Sequence, residues 1–272
     1  MRILTAALIL SIFSSSLGTL AGQNFLVYAK EKEFYQLRSE HFIINYKKGV
    51  DKAYITKLKN IAEKYYRIIT QDFNFYRDKF WIWENRAKIF IANDRDDYLN
   101  SFNCSGWSAA CVNHRAKIIY TYPDQEKFYT ILVHELTHII FSEYIGENKL
   151  ALWLDEGVAT YMESKYGSNN YASSLYLLRE KIKDNTYIKL PQLHKVTIGS
   201  LNKAPSDYVD LFYLESFSIV NFIISKYGKY KFSQMLRWLR KGDEIEEALA
   251  KVFYNFNNFD KLEMKWKEYY QK

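Results

Sequence analysis

Residues 131–141 read Ile-Leu-Val-His-Glu-Leu-Thr-His-Ile-Ile-Phe, an apolar run broken by two histidines, a glutamate and a threonine. A helix that is apolar on nearly every side belongs in the middle of a domain. Burying His and Glu there is costly unless they are paired or coordinate a metal. His134 and His138 are one helical turn apart on the same face, so their imidazoles can converge on one point. Glu135 is rotated from that face by about 100°, at 3.6 residues per turn. Its carboxylate is therefore aimed at a water on a metal rather than at the metal itself. The H-E-x-x-H spacing predicts a metal centre on this helix.

The segment Trp153-Leu154-Asp155-Glu156-Gly157-Val158-Ala159-Thr160-Tyr161 follows closely. A catalytic zinc takes three protein ligands and keeps a fourth position for water. Glu156 is placed to be the third, because the first helix should stop at Gly146 and a second should carry Glu156 back beside the histidines. The flanking Trp153, Leu154, Val158 and Ala159 point to burial.

Periodicity supplies the rest of the frame. Strands are expected at His41–Tyr46, Ala87–Ala92 and Ala116–Thr121. An amphipathic helix is expected from Asp51 to about Thr70. The His134 helix should open at Pro123-Asp124, with Asp124 as N-cap and Glu126 in its first turn. Further helices are expected at Ala151–Tyr166, Tyr171–Lys183, Asp207–Tyr227, Lys229–Lys241, Asp243–Val252 and Phe259–Tyr270. This is an α+β layout: a mostly antiparallel or mixed N-terminal sheet and a helical C-terminal half. Residues 22–272 are expected to form a single domain, with an α/β part to about residue 146 and a helical part over 147–272.

Composition narrows the class of protein. The chain has 272 residues, 48% of them hydrophobic, with only 3 Pro and 10 Gly, which argues against disorder. Its net charge is +7, but the lysines are scattered along the sequence, which reads as a solvated basic surface and not a nucleic-acid patch. Residues 1–21 have the form of a signal peptide: basic Met1-Arg2, an apolar stretch from Ile3 to Phe13, and small residues from Ser14 to Gly22. That apolar stretch falls short of the ~20 residues a spanning helix needs. No later segment reads as a span, so an exported protein, periplasmic or secreted, without a stable membrane anchor is expected. Cys104 and Cys111 are expected to close a short bridged loop, consistent with export. His41, His114 and His194 stand alone and read as structural or surface groups.

HELTH followed by WLDEGVA resembles the gluzincin zinc metallopeptidases, the clan of thermolysin and the zinc aminopeptidases. The closest resemblance is to exported peptidase MA-like domains. Softer similarity extends upstream over FNCSGWSAACVNHRAKIIYTY and downstream over YLESFSIVNFIISKYGKYKFSQMLRWLRKGDEIEEALAKVF to Trp266, so that roughly Glu40 to Tyr270 is covered.

The resemblance implies a thermolysin-like fold, with His134, His138 and Glu156 as Zn2+ ligands and Glu135 as general base. It also implies a peptide or protein substrate, added as an extended strand to a sheet edge formed by Ala116–Thr121. Thermolysin-like enzymes have an Asp four residues after the Glu ligand, where it orients a histidine. Thr160 stands there, a weaker orienter. The aminopeptidase G-x-M-E-N segment is missing, which points to an endopeptidase unless Glu163 or Glu215 holds a substrate amine. Tyr213, with Tyr208 behind it, is the candidate oxyanion donor, and a packing role stays open for either among 24 tyrosines. A non-catalytic zinc-fold binding protein and a dedicated cell-wall peptide hydrolase are the rival readings. Glu135 argues against the first.

Overall fold

The computed structural model describes residues 34–75, 81–102, 104, 110–123, 128–146 and 150–271. The expected signal peptide, the Asp124 cap and Glu126 lie outside these residues. The chain divides into two compact units. One comprises residues up to Tyr66 together with Asp78–Leu132; the other comprises Arg67–Arg77 and Val133–Lys272.

The first unit holds a mixed sheet of five strands: β1 (Tyr35–Arg38), β2 (Phe42–Tyr46), β3 (Ala87–Ile91), β4 (Ala110–Asn113) and β5 (Ile118–Thr121), in the order β1-β2-β3-β5-β4. β2, β3 and β5 run parallel, and β1 and β4 pair antiparallel at the two edges. Four consecutive residues of β2, Phe42 to Asn45, are buried. Such unbroken burial is expected of an inner parallel strand covered on both faces. Ile55, Leu58, Ala62 and Tyr65 of the helix Lys52–Asp72 are buried in the same unit. At its far end His41 stacks on Tyr66, with ring centroids 3.8 Å apart, and its ring Nδ1 lies 2.7 Å from Glu63 Oε2.

One expectation for this unit needs correction. β5 is not an edge, because β3 and β4 both pair with it. The edge is β4, a short strand of Ala, Cys, Val and Asn with too little β-forming character to stand out in the sequence. A polar helix, Arg95–Phe102, was also not foreseen, since only Tyr98 of its eight residues is buried. A disulfide joins Cys104 to Cys111 of β4, as expected.

The second unit is helical. It takes in the helices Leu152–Tyr166, Leu175–Lys183, Ile245–Val252 and Phe259–Tyr270, short turns at Leu190–Leu193 and Ile198–Leu201, and the long element Ser206–Arg240. That element is broken at Gly228, whose φ of 85° only glycine adopts easily. The break falls where two helices were expected. Ser206–Tyr227 is long and apolar enough to cross a membrane, contrary to expectation. Phe212, Phe217, Val220, Phe222 and Ile223 are nonetheless buried among the helices, which makes it a core helix.

The end of the first long helix belongs to this second unit. Asp72 accepts from Lys165 at 2.8 Å, Tyr166 at 2.8 Å and Lys229 at 2.6 Å. Phe73 packs on Tyr161 and Phe232, and Phe75 on Phe141 and Tyr144. Ser233 donates to the Phe73 carbonyl at 2.8 Å.

Candidate metal centre

The helix carrying His134 runs over Phe128–Ile145 and ends at Gly146, whose φ of 78° is that of a left-handed cap. Every residue from Thr130 to Phe141 is buried. Thr137 returns its hydroxyl to the Val133 carbonyl at 2.7 Å, which removes one polar exception. The other three are His134, Glu135 and His138.

The two imidazoles converge as the spacing requires: their Nε2 atoms lie 3.0 Å apart. Glu156 is carried back to them by the helix Leu152–Tyr166. Its Oε2 lies 3.4 Å from His138 Nε2 and 3.6 Å from His134 Nε2. Tetrahedral zinc with bonds of ~2.0–2.1 Å sets its ligand atoms about 3.3–3.4 Å apart, so the triangle has the right size. Glu156 Oε2 is buried and accepts no well-aligned hydrogen bond, the environment a metal ligand occupies. His134, His138 and Glu156 thus fit a divalent cation such as zinc, by donor type as well as by spacing.

Both histidines have a carboxylate behind them, and neither carboxylate was foreseen in that role. His134 Nδ1 lies 2.8 Å from Glu163 Oε2, and Glu163 is only 7% exposed. His138 Nδ1 lies 3.0 Å from Asp155 Oδ1, in poorer alignment. These contacts leave Nε2 of each ring facing the centre and fix the ring planes. Thr160 does not take part. Its hydroxyl turns back to the Glu156 carbonyl at 2.6 Å, as a helical threonine readily does. Glu163 lies two helical turns beyond Glu156, on the same face. That spacing was the signal available in the sequence.

The charges reinforce one another. Burial opposes charge on His134, but the Glu156 and Glu163 carboxylates outweigh it and lift its pKa to about 10. Burial also opposes charge on His138, and Asp155 and Glu156 push its pKa well up. Burial alone would raise Glu156, yet the two histidines bring it far below the usual carboxylate range. A dense negative environment therefore surrounds the three donors, and it would favour a bound cation.

Tyr213 is half-buried, and its phenol is held well above its usual pKa, first by burial and then by the charges of Glu156, Glu135 and Glu163. It lies within electrostatic reach of the same carboxylates as the centre. The pKa of Tyr208 is raised by burial first and then by Glu215. Tyr171, which sequence reasoning passed over, is held well above its usual pKa by burial first and then by Glu163 and Glu156. The two carboxylates considered as amine anchors differ in their surroundings, and Glu215 Oε2 is buried without a hydrogen-bond partner. Glu163 is engaged with His134, and Glu215 is fully buried and accepts the Ile188 N–H at 2.8 Å. Of the lone histidines, His41 pairs with Glu63 and His194 accepts from Trp153 Nε1 at 3.4 Å. His114 opens the turn between β4 and β5.

The Peptidase MA superfamily model matches residues 106–272, and the chain belongs to that superfamily. Membership implies a peptide hydrolase. No curated protein matches the chain.

Proposed function

We propose that this protein is an exported, zinc-dependent endopeptidase of the gluzincin type. The observation that carries the reading is the convergence of His134, His138 and Glu156 on a triangle of zinc dimensions, with Glu135 one residue along the same buried helix. His134, His138 and Glu156 would hold the zinc, which would supply the Lewis acidity that activates a water and polarises the scissile carbonyl. Glu135 takes a proton from the attacking water and passes it to the leaving amine. Tyr213 donates its phenolic hydrogen to the developing oxyanion, for which its retained proton suits it. Asp155 and Glu163 hold the histidine rings in place.

Endopeptidase activity is favoured because the family's amine-holding segment is missing, Glu163 is engaged with His134, and Glu215 is fully buried with one oxygen on the Ile188 N–H. Export rests on the form of residues 1–21. The test is hydrolysis of unfolded casein with and without a chelator, followed by one peptide with a free or an acetylated N-terminus. Chelator-sensitive cleavage within both peptides at similar rates supports the proposal. Stepwise release of N-terminal residues, abolished by acetylation, would replace it with an aminopeptidase.

A further inference from the structure

We infer that Asn169 is a positioning residue for the metal centre, acting on His134 through Glu163. Glu163 has two carboxylate oxygens and both are used. Oε2 faces His134 Nδ1, and Oε1 accepts the side-chain amide of Asn169. The terminal torsion of a Glu side chain is broad, so one partner alone leaves the carboxylate free to swing. A second donor on the opposite oxygen removes that freedom. The orientation of Glu163 is then handed on to the His134 ring.

The local backbone delivers Asn169 to this place. The Glu163 carbonyl accepts the N–H of Gly167 at 2.8 Å, closing the last turn of the helix Leu152–Tyr166. The chain reverses there, and Asn169 returns to the side chain of the same Glu163. One residue thus ends the helix with its carbonyl and receives the loop with its carboxylate. The amide also has the right charge. A Lys or Arg at position 169 would form an ion pair with Glu163 and draw its negative charge away from His134, whereas a neutral N–H₂ fixes the carboxylate and leaves that charge in place.

The inference rests on the reading of His134 as a metal ligand. Direct partners of ligating histidines are worth about ten- to a hundredfold in metal affinity, and a residue one step further out less. Zinc affinity is measured by competition with a chromophoric chelator for wild type, Asn169→Ala, Glu163→Gln and the double variant. Asn169→Ala is expected to weaken binding about three- to tenfold, and Glu163→Gln by more. The double variant should be no weaker than Glu163→Gln, because the path from Asn169 to His134 is already cut. Asn169→Asp keeps the shape but presents a second carboxylate to Glu163, and should weaken binding at least as much as Asn169→Ala. It carries the comparison if the alanine variant folds poorly. The visible spectrum of the cobalt-loaded protein should shift in Asn169→Ala and stay unchanged on adding that substitution to Glu163→Gln. Unaltered zinc affinity in both Asn169 variants overturns the inference, as does an Asn169→Ala loss that multiplies in full with that of Glu163→Gln. In both cases the metal centre itself would stand. Failure of the wild type to bind zinc would instead bring down the metal centre and this inference together.

Discussion

Gly157 packs so closely on Ser216 that a Cβ on the glycine would stand 2.5 Å from the Ser216 carbonyl oxygen. Val220 Cγ2 would be 2.8 Å away. The helix bearing Glu156 therefore rests on the Ser206–Arg240 element backbone to backbone, and the glycine after Glu156 is what permits it. Gly157→Ala must push the helices apart and carry Glu156 with them. Overpacking of this kind costs about 1–3 kcal/mol or more. The expected result is a lowered melting temperature together with weakened zinc binding. A variant as stable and as zinc-competent as wild type would show that the two helices are not held at this separation.

Thr160→Val should leave zinc affinity unchanged within about twofold, because the hydroxyl serves the Glu156 carbonyl and not a histidine. Titration with the chelator used above reads this directly. A loss of tenfold or more would mean that Thr160 orients a ligand after all.

His138→Ala removes one corner of the donor triangle. Near-complete loss of bound zinc is expected by metal analysis of the purified protein. Retention of one zinc per chain would place the metal elsewhere.

Glu135→Gln should keep both fold and zinc while losing hydrolysis by on the order of a hundredfold or more, since only the proton acceptor is removed. Casein turnover alongside metal content separates the two effects. Activity near that of wild type would assign the base to another group.

Glu63 links acid sensitivity to a different part of the chain. Burial would raise its pKa, but hydrogen bonds from the His41 ring and backbone N–H outweigh burial and lower it to about 2. Because the folded-state value lies below the unfolded one, its contribution is complete above about pH 4.5 and fades as pH falls toward 2. Glu63→Gln should cost roughly 2–3 kcal/mol at pH 7, and the gap from wild type should narrow by pH 3. Urea unfolding at the two pH values reads this. An equal gap at both would mean that the carboxylate is not what stabilises this corner.

The helix carrying His134, Glu135 and His138 was the most legible part of the chain. Four polar residues interrupting an apolar run need a reason, and helical spacing supplies one. Phe259–Tyr270 was legible to the residue because its apolar face repeats cleanly, with Leu262, Trp266 and Tyr270 buried. Gly228 marked its own break. The carboxylates behind the histidines were harder to see. Apolar neighbours marked the helix Leu152–Tyr166 as buried but not which of its carboxylates meets a histidine, and the contact of Asn169 depends on how the chain folds back after Gly167. β1 was missed because it is an edge strand with Tyr35 and Arg38 exposed, so no alternation of buried and exposed residues marks it.

The helical unit borrows Asp72, Phe73 and Phe75 from far upstream. Asp72 meets Lys229 across 157 positions, and Phe73 meets Ser233 across 160. A ribosome makes the chain from the other end, so these three residues emerge long before most of the side chains that will cover them. Phe75 can be covered once Phe141 and Tyr144 emerge, but Asp72 and Phe73 gain their last partners, Lys229, Phe232 and Ser233, only late in translation. Closing so long a span comes late, and contacts of this kind slow folding. The connectivity of this protein thus leaves the end of the first long helix to be completed last, from residues some 160 positions downstream.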